Sequence, residues 1–181
     1  YTKAVQSGLE AIKSQSSVLI YKEQDDQFQL VQSLPGQRAL PGCLELLDYD
    51  GDGDQDLFVG GRMNPGRYPE PAISRLYENE NGFFKLNLDQ SRAWFDLGLV
   101  TDAKSLDRDG DGDQDLLIAR EWNTLVFWDN QDGDFIDKTQ DVGLATRKGL
   151  WTALAVADLD GDGDMDAVAG NWGRNTDYQK H

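Results

Sequence analysis

The chain has 181 residues, of which 39% are hydrophobic and 10% aromatic, and its formal net charge is −16. This apolar content predicts a folded chain rather than a disordered one, and the acidity argues against binding to nucleic acid phosphates or to anionic membrane surfaces. The single cysteine, Cys43, excludes an intrachain disulfide, and with the single histidine, His181, it cannot form a zinc or iron site of the usual kind.

The start of the chain and its apolar segments bear on where the protein acts. No apolar run approaches the length of a membrane-spanning helix, and no signal-peptide pattern is present. The first residue is Tyr1 rather than Met, so we expect a processed or excised segment whose targeting signal lies outside it. Residues 4–15 have the composition of one short helix, with a frayed terminus as the alternative, and no long helix is predicted elsewhere.

Three segments of similar sequence predict β-hairpins. Each places an aromatic residue seven positions before a Phe, with apolar flanks and a polar centre between them. The centres of the second and third segments contain Asn-Gly and Asp-Gly, which favour the tight turn of a hairpin. The aromatic pairs are Tyr21 with Phe28, Tyr77 with Phe84, and Trp128 with Phe135.

Short apolar runs flank three acidic strings, "DYDGDGDQD", "DRDGDGDQD" and "DLDGDGDMD". Runs of three or four apolar residues without alternation predict strands that are buried on both faces. Four positions after the last Asp of each string the residue is small, which predicts close packing against a neighbouring sheet. The strings begin at Asp48, Asp107 and Asp158, and the small residues are Gly60, Ala119 and Gly170.

The unit that repeats is therefore a strand, an acidic loop, a second strand, a linker and a hairpin. Four-stranded antiparallel sheets that are covered on both faces are the blades of a β-propeller. We predict an all-β fold of β-propeller-type blades, about three blade equivalents in number, forming a partial propeller or a piece of a larger one. The single segment 1–181 would contain a half-blade at 17–33, a blade at 40–90, a blade at 98–140 and a half-blade at 149–173.

The acidic strings predict metal sites. At an effective dielectric near 20, two carboxylates about 5 Å apart repel each other by roughly 3 kcal/mol, so several such pairs would hold a loop open. A divalent cation converts this repulsion into attraction, and oxygen ligands without nitrogen or sulfur favour Ca²⁺ first and Mg²⁺ second. A solvated acidic turn is the alternative for any one string, and recurrence in three equivalent settings argues against it.

The beginning of each string matches the calcium loop of an EF-hand, whose twelfth position is a bidentate Glu. Here position 12 is Val59, Ile118 or Ala169, so the EF-hand is excluded three times. The nine-residue spacing of calcium β-helices is also absent. Positions 1, 3, 5 and 9 are the predicted side-chain ligands, position 7 supplies its carbonyl, and the Gly at position 6 permits a sharp turn. The predicted ligands are Asp48, Asp50, Asp52, Asp54 and Asp56 in the first loop, Asp107, Asp109, Asp111, Asp113 and Asp115 in the second, and Asp158, Asp160, Asp162, Asp164 and Asp166 in the third.

The strings with their flanks, "DYDGDGDQDLFVGG", "DRDGDGDQDLLIAR" and "DLDGDGDMDAVAGN", resemble the FG-GAP or VCBS repeats of integrin-α-like β-propellers. The sequence between them, such as "GLWTALAVADLDGDGDMDAVAGNWGRNT", is similar to long secreted bacterial VCBS-repeat proteins linked to ASPIC/UnbV-type domains. The similarity covers roughly residues 17–178. The resemblance implies that the loop aspartates bind Ca²⁺ and that the propeller is a recognition or display scaffold.

Three functions remain open from the sequence. The first is an extracellular, secreted or cell-surface, calcium-binding propeller segment without catalytic activity, used for recognition of or adhesion to a protein or carbohydrate. The second is a structural subunit whose half-blades pair between copies into a homo-oligomeric ring or filament. The third is a calcium-dependent enzyme acting on polysaccharides, for which no nucleophile-elbow or phosphate-loop pattern is present.

A few residues outside the acidic strings receive structural interpretations. Cys43 is predicted to be a small buried core residue. Trp122 and Trp172 are predicted to pack between blades rather than to stack on sugar rings. Three glutamates that no motif explains are predicted to lie on the surface: Glu45, Glu70 and Glu121.

Overall fold

The computed structural model describes residues 17–173, and the prediction of an all-β fold of antiparallel sheets is confirmed. These residues contain twelve strands, one four-residue helix, α1 (Leu88–Ser91), and a 3-10 turn at Arg92–Trp94. The helix predicted at residues 4–15 and His181 lie outside the described residues. No helix within residues 17–173 is long and apolar enough to cross a membrane. The strands are β1 (Val18–Gln24), β2 (Gln27–Leu34), β3 (Leu40–Leu47), β4 (Asp56–Met63), β5 (Arg75–Glu80), β6 (Phe83–Asn87), β7 (Leu99–Leu106), β8 (Asp115–Asn123), β9 (Val126–Gln131), β10 (Asp134–Asp137), β11 (Gly149–Ala157) and β12 (Asp166–Asn171).

Each of the three predicted hairpins forms around a two-residue turn. β1–β2, β5–β6 and β9–β10 close at the pairs Gln24–Gln27, Glu80–Phe83 and Gln131–Asp134. Both central residues of every turn have a positive φ, which lets the turn follow the right-handed twist of the strands. Asn, Asp and Gly adopt this conformation at low cost, which explains the polar centre of each hairpin motif. The central residues are Asp25–Asp26, Asn81–Gly82 and Asp132–Gly133.

The strands form four successive groups in chain order. β3–β6 make a four-stranded sheet, and β7–β10 pair in the same sequential order. The pairs β1–β2 and β11–β12 stand at the two ends of this series. β11 also joins the preceding group where its first residues pair with the end of β8, as Gly149 with Asn123 and Leu150 with Glu121. This arrangement is consistent with two complete blades between two half-blades, and the domain boundaries themselves stay a prediction.

Three clusters of buried side chains lie between the successive groups. The central cluster packs β3–β6 against β7–β10 around the fully buried Trp94, whose ring contacts Phe58, Trp128 and Phe135. A second cluster, including Leu154, joins β7–β9 to β11–β12. A third holds β1–β2 against β4 and β5. The groups are therefore stacked face to face, which is the packing expected of propeller blades.

The central strands of the complete blades are buried on both faces, as their unbroken apolar runs predict. This holds for β4 and β8. Gly60 in β4 packs closely against β7, because a Cβ at this residue would lie 2.6 Å from Val100 Cγ1. Ala119 is fully buried at the equivalent place in β8. For β12 the prediction is wrong: Val168 is 54% exposed, and a Cβ at Gly170 would make only ordinary contacts.

The predictions for the cysteine and the two tryptophans have mixed outcomes. Cys43 is partly buried against the central cluster, and burial, together with the charge of Asp102, raises the pKa of its thiol to about 12. Trp122 and Trp172 do not fill the space between blades, since they are 43% and 54% exposed. The Trp122 indole N–H donates to the hydroxyl of Tyr68, so this tryptophan is held at the surface.

The three glutamates also differ from one another. Glu70 is exposed as predicted. Glu45 and Glu121 are not, because their side chains are only 16% and 10% exposed. Glu45 forms an ion pair with Lys104 on β7, and Glu121 forms one with Arg62 on β4, so both connect the two complete blades. The surface prediction is wrong for these two residues because their partners lie on another blade.

Candidate metal centres

The three acidic loops connect β3 to β4, β7 to β8 and β11 to β12, and they fold in the same way. The aspartate at position 1 of each loop accepts main-chain N–H groups from the loop glycines. Asp107 Oδ1 accepts from Gly110 at 2.8 Å, and Asp107 Oδ2 accepts from Gly112 at 3.1 Å. The equivalent bonds hold Asp158 in the third loop and, for Oδ2, Asp48 in the first. The position 1 carboxylate therefore lies inside a curl of its own loop.

The aspartates at positions 3 and 5 form successive turns. Asp109 Oδ1 accepts from the N–H of Asp111 at 3.3 Å, and Asp111 Oδ1 accepts from that of Asp113 at 2.9 Å. The other two loops repeat both bonds. Asp suits these turns because its short side chain reaches the N–H two residues later. The glycines at positions 4 and 6 of all three loops have a positive φ, which allows the loop to curl around its carboxylates.

Carboxylate oxygens from three aspartates of each loop lie within 4.8 Å of one another. One cation can contact all three, since calcium–oxygen distances are about 2.3–2.6 Å. Positions 1 and 3 belong to every group, whereas the third member is at position 9 in the first and third loops and at position 5 in the second. The groups are Asp48, Asp50 and Asp56; Asp107, Asp109 and Asp111; and Asp158, Asp160 and Asp166. The other predicted side-chain ligands, Asp52, Asp115 and Asp162, are not members of these groups.

The aspartate at position 9 holds the loop to the sheet. Asp56 is 1% exposed; its Oδ2 accepts from the N–H of Tyr49 at 3.1 Å, and its Oδ1 accepts from that of Asn79 in β5 at 2.8 Å. Asp115 is bonded in the same way to the second loop and to β9. Burial raises the pKa of both carboxyl groups to about 6, although these hydrogen bonds oppose the shift. The position 9 aspartate therefore joins the loop to the third strand of its blade, in addition to the metal ligation that the sequence predicted.

The side chain at position 7 reaches the hairpin turn of its own blade. Asp113 Oδ2 accepts from the N–H of Asp132 at 2.7 Å. Asp54 accepts from the N–H of Asn81 at the equivalent place. These bonds leave the main-chain carbonyl, rather than the side chain, as the group at position 7 for a metal. Within residues 17–173 no hairpin follows the third loop, so Asp164 has no such turn to bind.

Sequence reasoning missed two asparagines, one in each complete blade, that hold the hairpin of that blade to an acidic loop. Asn130 in β9 is 1% exposed, and its Nδ2 donates to the carbonyls of Tyr49 at 2.8 Å and of Gln114 at 3.2 Å. Its Oδ1 accepts from the N–H of Gly133 in the turn at 3.0 Å. Asn79 makes corresponding bonds to the loop and turn of the preceding blade. The sequence contains a pattern that could have identified them, because each asparagine lies two positions after the aromatic residue of its hairpin motif.

The first loop is also bonded to the second complete blade. Gln114 Oε1 accepts from the N–H of Asp48 at 2.9 Å, which joins the first loop to the second. The ring of Tyr49 stacks against that of Phe135, with 6.4 Å between the ring centroids. The shape of the first loop is therefore coupled to the interface between the two complete blades.

The groups in the loops fit a hard divalent cation. Asp48 Oδ1, at position 1 of the first loop, is buried and has no hydrogen-bond partner in the described part of the chain. No ion pair among residues 17–173 involves Lys or Arg with any of the fifteen loop aspartates. Carboxylate and carbonyl oxygens are the ligands that Ca²⁺ prefers. The residues present therefore suit calcium, and the buried carboxylates have no protein cation to balance them.

Comparison with known families supports a repeat of one type. Residues 107–169 match the family model for FG-GAP-like repeats. The match begins at the first aspartate of the second loop and ends in β12, so it includes the second and third acidic loops. No curated protein shows significant sequence similarity to the chain.

Proposed function

We propose that this chain, which carries an FG-GAP-like repeat at residues 107–169, is a calcium-binding segment of β-propeller-type blades. It serves outside the cell as a non-catalytic scaffold for recognition or adhesion. The observation that carries the proposal is that three loops each bring three carboxylates within 4.8 Å of one another. Carboxylates held so close together oppose folding unless a cation balances their charge.

The calcium ions have a structural role in this proposal. Each loop lies between the first and second strands of a blade, and its position 9 aspartate also bonds to the third strand in both complete blades. A cation that holds the loop closed therefore stabilises three strands at once. Calcium is preferred to magnesium because Mg²⁺ demands near-ideal octahedral geometry and retains its waters, whereas a flexible loop of Asp side chains can wrap a larger ion.

The extracellular setting follows from calcium availability. Sites in extracellular modules commonly have dissociation constants of about 10⁻⁴–10⁻³ M, which suits the calcium concentration outside cells. The partner is a protein or a carbohydrate. Exposed aromatic side chains supply contact area for either kind of partner, and the described residues present Trp122, Tyr68 and Trp172 at 43%, 48% and 54% exposure.

Calcium titration and thermal unfolding test the proposal directly. Isothermal titration with CaCl₂ is expected to show three sites per chain. At free calcium a hundredfold above the dissociation constant, each site adds about 2.7 kcal/mol to stability. For a chain of this size that energy raises the melting temperature by roughly 5–10 °C per site relative to EDTA. An unchanged melting temperature would remove the calcium role.

A matched pair of variants links the effect to the loops. Asp109→Asn keeps the shape and the acceptor oxygen but removes the charge, so the titration is expected to lose the second site and retain two. Asp141→Asn removes the same charge at a side chain that is 69% exposed and lies outside the loops. We expect this control to keep all three sites. Equal stoichiometry in the two variants would contradict the assignment of the second loop.

A further inference from the structure

The two half-blades expose surfaces that the complete blades bury. In β1, Leu19 is 45% and Tyr21 is 51% exposed, and in β12 Val168 is 54% exposed. The residues equivalent to Tyr21 and Val168 in the first complete blade are buried, with Tyr77 at 2% and Phe58 at 0%. The outer edges of β1 and β12 pair with no strand among residues 17–173. Both half-blades therefore present an edge and a face suited to further strands.

The register of the strands shows which part of a blade each half supplies. In every hairpin the aromatic residue of the motif pairs with the residue nine positions later: Tyr21 with Leu30, Tyr77 with Leu86, and Trp128 with Asp137. β1–β2 therefore corresponds to the third and fourth strands of a blade. β12 begins at a position 9 aspartate, as β4 and β8 do, so β11–β12 corresponds to the first and second strands. The chain contains both halves of one further blade.

We infer that β12 of one copy of this chain pairs antiparallel with β1 of a second copy and completes a four-stranded blade at the joint. This inference rests on the blade architecture of the proposed function and does not depend on calcium occupancy. In the complete blades the second and third strands pair Phe58 with Leu76 and Leu117 with Phe127. The same register places Val168 opposite Ile20 of the second copy.

The two halves belong to different faces of the molecule. β1–β2 packs against the first complete blade through Leu57, Val59 and Tyr77. β11–β12 packs against the second complete blade through Leu117 and Phe127. Both complete blades lie between the half-blades in the stack, and within residues 17–173 β1–β2 pairs with no strand outside its own hairpin. The two half-blades of one molecule therefore do not complete each other within residues 17–173.

Hydrogen bonding at the edge of β12 supports the same pairing. In both complete blades the Oδ1 atom of the position 9 aspartate accepts an N–H from the third strand at 2.8 Å. Asp166 Oδ2 accepts from the N–H of Leu159, but Asp166 Oδ1 has no donor among residues 17–173. The register at the joint brings the N–H of Glu23 to this oxygen. In the complete blades the residue at this place is an asparagine, Asn79 or Asn130. The donor is its main-chain N–H, so Glu23 can make the same bond with a different side chain.

The joint is head-to-tail, so it uses two different surfaces of the chain. Such contacts add copies in series unless the rotation closes a ring, and a ring of two copies would contain roughly six blade equivalents. The net charge of −16 opposes association at low ionic strength. The association is therefore to be measured in millimolar CaCl₂ at physiological ionic strength.

Sedimentation of the full chain tests whether copies associate. The mass is expected to rise with protein concentration, and Val168→Lys is expected to abolish the rise, because a residue 54% exposed in one copy becomes buried at the joint. Ile136→Lys makes the same change at a residue 41% exposed on β10, away from the joint, and is expected to associate normally. A monomer at every concentration overturns the inference. Equal association of both variants overturns it as well.

Cross-linking tests the register. A mixture of the Ile20→Cys and Val168→Cys chains is expected to form a disulfide-linked dimer under mild oxidation, whereas neither variant alone does so. Lys22→Cys with Val168→Cys shifts the pair by two residues and is expected to cross-link far less. A chain that carries both Ile20→Cys and Val168→Cys is expected to cross-link between molecules; a cross-link within one molecule, or equal yields from both registers, overturns the inference. Three calcium sites measured in a chain that fails these tests would leave the proposed function standing.

Discussion

At the scale of single residues, equivalent positions in the repeat meet different surroundings. A Cβ at Gly60 would lie 2.6 Å from Val100 Cγ1 and 2.7 Å from Cys43 Sγ. A Cβ at Gly170 would have its nearest neighbour, Thr152 Oγ1, at 3.5 Å. Neither glycine has a positive φ, so the two differ only in the space around them. The difference arises because a further blade covers β4, whereas the outer face of β12 is exposed.

This contrast predicts opposite outcomes for one substitution. Gly60→Ala is expected to destabilise the protein by about 1–3 kcal/mol, because the methyl group overpacks a filled interface. Gly170→Ala is expected to change the free energy of unfolding by less than about 0.5 kcal/mol. Urea unfolding of both variants in calcium measures the difference. Equal costs at the two positions would show that β4 and β7 do not pack as closely as described.

At the scale of elements, each blade is held together by bonds between a loop and a hairpin as well as by its ladder of strands. The position 9 aspartate accepts an N–H from the third strand, and the asparagine of that strand donates back to the loop. In the second blade the same asparagine, Asn130, also bonds to the carbonyl of Tyr49 in the first loop. The hairpin therefore fixes the position of two acidic loops, its own and the preceding one.

Removing this asparagine tests the coupling. Asn130→Ala leaves the buried carbonyls of Tyr49 and Gln114 without their donor, so we expect a loss of about 1–3 kcal/mol in stability. Gln131→Ala alters the next residue, whose side chain is exposed and, within residues 17–173, bonds only to Asp129, and is expected to cost less than about 0.5 kcal/mol. Thermal unfolding in calcium compares the two variants. A stability of Asn130→Ala close to that of Gln131→Ala would contradict the role given to the asparagine.

At the scale of the whole molecule, the charge distribution sets the conditions under which the fold is stable. The chain carries 33 acidic and 17 basic residues, and 15 of the acidic residues lie in the three loops. Self-repulsion of this kind opposes the compact state. Three bound divalent cations would offset it at the places where it is concentrated.

The consequence is a salt dependence that changes with calcium. In EDTA, NaCl is expected to raise the melting temperature, because at about 0.1 M ionic strength the screening length falls to about 10 Å. In saturating calcium the same addition is expected to have a much smaller effect, since the loop carboxylates are already balanced. Melting curves at several NaCl concentrations, with and without calcium, measure both slopes. Parallel slopes would contradict the proposed charge compensation.

The local features of this chain could be predicted because they depend on neighbours in sequence. The two-residue turns require a positive φ, and Asp25–Asp26, Asn81–Gly82 and Asp132–Gly133 tolerate it. The curl of each acidic loop arises from bonds between residues two to five positions apart. The candidate metal centres were predictable for the same reason, although the members of each carboxylate group were not.

Features that depend on a partner from another blade could not be predicted. Glu121 has a charge typical of the surface, yet its side chain is 10% exposed because Arg62 of the preceding blade lies beside it. Trp122 is apolar enough for a core, yet it is 43% exposed and bonded to Tyr68. The sequence carries no local mark of which residues face one another across an interface.

The sequence by itself determined the all-β class, the hairpins, the repeat and the three acidic loops, because each of these follows from contacts over a few residues. Only the tertiary structure decided which strand faces are covered, which aspartates group together, and that Asn130 joins two loops. The physical reason is that these features depend on how the blades stack. The stack brings together residues that are far apart in the chain, such as Asn130 and Tyr49, which are 81 positions apart, and no local pattern encodes their meeting.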